Sequence, residues 1–82
     1  MIKVLRVDGS EQEVAGKISL PEAQKAVGGY VEVVKASKVA FLVDEDGRRK
    51  GKPINHKASA LAGVMLVGDV ILLEGTSKRA WS

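Results

Sequence analysis

The chain has no cysteine, two prolines, one histidine, and one each of Trp, Tyr and Phe among its 82 residues. Without cysteine there is no disulfide staple, thiolate zinc site or cysteine nucleophile. With Tyr30, Phe41 and Trp81 as the whole aromatic complement, the stacking platform used by single-strand nucleic-acid binders is thin. No apolar run approaches the roughly 20 residues needed to span a bilayer. The opening M-I-K-V-L-R alternates like a strand and not like a secretion signal. These absences lead to the expectation of a cytoplasmic protein with no membrane partner.

What is present is 45% hydrophobic and 28% charged, the balance of an ordinary globular domain. Residues 1–75 are expected to form one domain and 76–82 a flexible tail, because the tail has no hydrophobic period. A domain this small buries only about 60% of its unfolded surface. Self-association into a homo-oligomer is the expected remedy for a marginal core.

The local signals give an order of elements. Ile2 to Val7 reads as a strand closed by the turn pair Asp8-Gly9, and Glu11 to Ile18 as a short edge or bulged return strand. Ser19-Leu20-Pro21-Glu22 fits a capping box, which starts a helix running to Val27, with Gly28 to stop it. Tyr30 to Lys35 and Lys38 to Val43 predict two central strands hairpinned across Ala36-Ser37, and Asp46-Gly47 a left-handed residue in a bulged hairpin. Asn55 is a good cap for a second helix, His56 to Ala62, ended by Gly63. Val64 to Val67 continues the apolar pattern, Gly68-Asp69 reads as a turn, and V-I-L-L at 70–73 as a central strand buried on both faces. The expected class is α+β: two layers, with a mostly antiparallel sheet of about five strands and two short helices.

Charge is unevenly distributed. The formal net charge is +3, from 13 Lys and Arg against 10 Asp and Glu. The segment 48–57 holds Arg48, Arg49, Lys50, Lys52 and Lys57 and no acid, so it carries +5 and the rest of the chain −2. A solvated loop explains such a run; so does an anion site. The second reading draws on the helix that follows. Its first turn holds His56 and Lys57, whereas the first helix has Glu22 in the matching place, and the favourable charge at a helix start is negative. An anion there would be bonded by Asn55, Lys57 and Ser59, enclosed by Arg49, Lys50 and Lys52, with His56 as a further donor. Under the first reading Asn55 only caps its helix. The acidic turn Asp44-Glu45-Asp46-Gly47 is no calcium loop, because cations occupy the later ligand positions. No metal and no cofactor is expected.

The strings S-L-P-E-A-Q-K-A-V-G-G-Y-V-E-V-V, L-V-D-E-D-G, P-I-N-H-K-A-S-A-L-A-G and G-D-V-I-L-L resemble a family of small phage- and plasmid-encoded proteins catalogued as a domain of unknown function. The resemblance spans nearly the whole chain. It rests on Gly28, Gly29 and Tyr30, on Pro53 and Asn55, on Ala58 and Ser59, and on Gly68 and Asp69. It implies a mobile-element origin and no particular chemistry.

Catalysis is not expected. His56 is the one imidazole and has no Ser-His-acid spacing around it, and Gly28-Gly29 matches neither a Walker pattern nor a dinucleotide fingerprint. The first functional expectation is a non-catalytic, oligomeric binding protein that captures an anionic, phosphorylated, nucleotide-like small molecule. By analogy with a phage setting, that molecule would be a host immune signal. The alternative is a nucleic-acid-binding accessory protein using the 48–57 patch with Lys78, Arg79 and Trp81. Protein binding through an exposed strand edge is a third reading.

Overall fold

The computed structural model describes residues 1–81. Five strands, β1 (Ile2–Leu5), β2 (Glu11–Val14), β3 (Val31–Lys35), β4 (Val39–Asp44) and β5 (Val70–Glu74), form one sheet in the order β2-β1-β5-β4-β3. Every pairing is antiparallel. The α+β class and the five-stranded antiparallel sheet are therefore as the sequence led us to expect. β5 lies at the centre, and the first four of its five residues, Val70 to Leu73, are all buried, as a continuous V-I-L-L run requires when both faces are covered.

Two helices supply that cover: α1 (Leu20–Val27) and α2 (His56–Ala62). Strand residues alternate between faces. Ile2, Val4, Leu42, Ile71 and Leu73 pack with Ala23 and Val27 of α1. Leu5, Phe41, Val43, Val70 and Leu72 pack with Ala58 of α2. The helices thus lie on opposite faces, which adds a layer to the two expected.

Both helices have the limits predicted from their caps. The Ser19 side chain accepts from the Glu22 amide while the Glu22 carboxylate accepts from the Ser19 amide. Gly28 ends α1 in the left-handed conformation at φ 82°, which a side chain with a Cβ rarely adopts.

Three sequence expectations need correction. β3 is an edge strand and not a central one, because β5 returns between β1 and β4 and leaves β3 outside. Gly47 is not left-handed. The chain after Asp44 winds through successive turns over 45–51, closed by the Gly47 amide on the Asp44 carbonyl and the Lys52 amide on the Gly47 carbonyl. Within the apolar run Val64 to Val67 only Val67 bridges, to Ile54, and Val64 and Met65 are exposed. Finally, Gly75–Trp81 is a 3-10 helix where a flexible tail was expected. The Trp81 ring explains the difference, since it packs against the α1-side core. Ser82, the last residue of the expected tail, lies outside the described residues. No helix among the described residues is long and apolar enough to cross a membrane.

Candidate functional site

The residues expected to gather at the start of α2 are dispersed. Asn55 is buried, 1% exposed. Its Oδ1 accepts from the Ala58 amide, and its Nδ2 donates to the carbonyls of Leu5 and Gly68, both at 2.9 Å. Oxygen and nitrogen are both committed, so Asn55 joins α2 to β1 and to the turn before β5. Ser59 is likewise engaged. Its hydroxyl donates to the Leu66 carbonyl and accepts from the Leu66 amide, and so pins the segment after α2. Lys57 turns away from the helix start to the β1–β2 turn, where its ammonium donates to the Gly9 carbonyl and the Glu11 carboxylate at 3.0 and 2.7 Å. That hydrogen bond holds the Glu11 carboxyl below its usual range. Arg49 is exposed and pairs with Asp46 at 3.1 Å. His56 is exposed.

Lys50 and Lys52 meet, but at the far end of the other helix. Both ammoniums lie 2.8 Å from one oxygen of Asp44. Lys50 also donates to the Gly28 carbonyl and Lys52 to the Val27 carbonyl. These are carbonyls at the C-terminus of α1, where the helix dipole is negative and cations are favoured. Burial alone would push the Asp44 carboxyl up, but the hydrogen bonds from Lys50, Lys52 and the Asp46 amide outweigh it and hold the group well below the usual carboxylate range. The cluster is packed tightly enough to restrict its neighbours: a Cβ at Gly29 would stand 2.6 Å from both Asp44 Oδ1 and Lys50 Nζ. Residues of G-G-Y and D-E-D-G therefore meet around one ion cluster, whose carboxylate is buried. An anion site at the α2 start is not assembled, because its cations are matched to acids and carbonyls elsewhere.

A second feature carried no signal that periodicity could detect. Between β3 and the segment that follows α2, a groove of about 340 Å³ opens on the α2 face. Val34 and Val43 line its sheet side, and Val64 and Met65 the opposite wall. Both wall residues are exposed, at 51% and 46%, as is Leu61 at the end of α2. Glu32 and Glu45 bring carboxylates to the rim, and Arg48, which donates to the Met65 carbonyl at 3.1 Å, brings the single guanidinium. The sequence hint was the short distance from Gly63 to Gly68, which holds four apolar residues and no polar one. Among the described residues no group of three His, Cys, Asp or Glu is placed to hold a metal ion.

Comparison with known proteins adds one assignment. The model of the domain of unknown function DUF3846 matches residues 2–80. The chain belongs to that family. No curated protein and no solved structure matches it. Membership in DUF3846 brings no activity with it, so the function has to be argued from the groove and the cluster themselves.

Proposed function

We propose that this DUF3846 protein is a non-catalytic binding module that takes an apolar, cation-bearing polypeptide segment into the groove between β3 and residues 64–67. The observation that carries this reading is the exposure of Val64 and Met65 beside Val34 and Val43. Apolar side chains kept together at the surface forgo burial worth roughly 25 cal/mol per Å², and such patches mark interaction sites. The rim sets the polarity of the ligand. Two carboxylates, Glu32 and Glu45, face one guanidinium that is already bonded to the chain, which favours Lys or Arg on the incoming segment and disfavours a phosphate.

Selection of random linear peptides displayed against the immobilised protein, followed by amide shift mapping with an enriched peptide, tests the proposal. The expected consensus sets Lys or Arg among apolar residues, the shifts centre on Val34, Val43, Val64 and Met65, and Met65→Glu weakens binding by at least about tenfold. Failure to enrich, or an acidic consensus, overturns it. Parallel titrations with ATP and with a single-stranded oligonucleotide probe the anion readings. Saturable shifts at Lys50, Lys52 and Lys57 with either one would favour anion capture over the peptide.

A further inference from the structure

The two borders of the sheet differ. β2 presents Glu11, Gln12 and Glu13, all exposed, and Lys57 holds Glu11 and Gly9 beside it. Charge of this kind discourages a further strand. β3 reads Val31-Glu32-Val33-Val34-Lys35, with all three valines half-buried, and among the described residues no strand pairs with its outer side. The direction of its polar groups follows from the ladder. The Glu45 amide donates to the Tyr30 carbonyl and the Ala36 amide to the Val39 carbonyl. In the register that sets Val31 against Asp44 and Lys35 against Ala40, Tyr30, Glu32, Val34 and Ala36 therefore point their backbone groups at β4. Antiparallel pairs alternate, so Val31, Val33 and Lys35 point theirs outward.

We propose that β3 is a homodimer interface, in which it pairs antiparallel with β3 of a second copy about a two-fold axis at Val33. That register sets Val33 against Val33 and Val31 against Lys35, so every outward amide and carbonyl of the strand finds its counterpart. Shifting by two residues leaves one outward residue of each strand unmatched, and an odd shift opposes outward groups to inward ones. The strand is complementary to itself in side chains too. Glu32 faces Val34, Lys35 faces Val31, and no like charges fall directly opposite. Val31 and Val33 already pack against the α1-side core, so the second copy extends that core across the axis and adds to the small burial available to an 82-residue chain. The axis is perpendicular to the sheet, which leaves both grooves open on one face of a continuous double sheet.

Sedimentation equilibrium of the full chain over a wide concentration range, with two variants, tests this interface. Val33→Pro removes an outward amide and no bond to β4, a substitution that border strands tolerate. Glu13→Pro does the same on the β2 border, because the register of Val4 with Gln12 and the Arg6 amide on the Ser10 carbonyl turn Glu13 outward. The expected result is a dimeric parent, dimerisation at least about tenfold weaker in Val33→Pro, and no change in Glu13→Pro. A parent monomeric throughout, or a folded Val33→Pro that dimerises as the parent does, overturns the proposal. Should circular dichroism show Val33→Pro unfolded, hydrogen exchange of the parent decides. The amides of Val31, Val33 and Lys35 should slow as concentration rises, and exchange there that is independent of concentration rejects the interface.

Discussion

The end of α1 and the start of α2 draw on the same run of cations, and the end of α1 takes the lysines that matter most. Lys50 and Lys52 precede α2 by only a few residues, yet both ammoniums sit at the carbonyls of Val27 and Gly28 with Asp44 between them. The α2 start has a partial positive charge and a buried asparagine already satisfied on three sides. The α1 end combines carbonyls lacking helical partners with a full negative charge removed from water, and so is much the deeper well for an ammonium. A charge run is thus assigned by where acceptors lie in space, and sequence proximity to a helix start says little about it. The segment 48–57 is largely exposed, and its lysines and arginines are tied to acids and carbonyls of the fold.

The largest effect that could break this contrast comes from Asp44. Asp44→Ala removes a buried carboxylate that accepts from Lys50 and the Asp46 amide and pairs with Lys52, and should cost about 3 kcal/mol, read from urea unfolding at neutral pH. A loss no larger than that of an ordinary surface substitution would mean that the cluster does not hold α1 to the rest of the fold. Titration sharpens the test. The Asp44 carboxyl is depressed in the folded state relative to its ordinary value of 3.8. Its contribution is therefore complete above that value and is lost as the pH falls from it toward the folded value. Asp44→Asn, which has no such proton to take up, should show a flatter decline in urea midpoint between neutral and strongly acidic pH than the parent.

Next in size is Asn55, the anchor of the other region. Asn55→Ala removes the α2 cap and leaves the carbonyls of Leu5 and Gly68 without their amide donor. The expected loss is about 2–3 kcal/mol, more than the roughly 1 kcal/mol of an exposed cap. Asn55→Asp separates the two contributions, since it keeps an acceptor for the Ala58 amide but turns an oxygen toward two carbonyls. It should be no more stable than the alanine variant. Recovery of parent stability by aspartate would reduce Asn55 to a cap alone.

Much of the fold was legible because its signals are local. Ser19 with Glu22, Gly28, Asn55 and Gly63 fix the helix limits within a few residues of themselves, and V-I-L-L declares a strand covered on both sides. The candidate sites were not legible, because their partners are distant in sequence. Asn55 meets Leu5 across 50 positions and Lys52 meets Val27 across 25. No periodicity says which way a capping asparagine turns its amide, or whether a lysine folds back to an earlier helix. The groove escaped for the opposite reason: Val64 and Met65 continue an apolar run that reads as core, and nothing local to that run says that the two stay at the surface. β3 was misplaced because apolar content marks a buried strand well and an unguarded border strand equally well.

The smallest expected effect sits at Lys57, the residue that the two readings of the α2 start value most differently. As a ligand to an anion, its loss would weaken phosphate binding and leave Glu11 unchanged. As a tie between α2 and the β1–β2 turn, its loss acts on Glu11, whose carboxyl is lowered chiefly by the Lys57 hydrogen bond. Both side chains are about two-fifths exposed, and exposed pairs contribute little to stability. Lys57→Ala should therefore leave the urea midpoint where it was and raise the Glu11 value toward that of an ordinary glutamate, measured by carboxyl NMR titration. An unmoved Glu11 together with weakened phosphate binding in the same variant would return the α2 start to the anion.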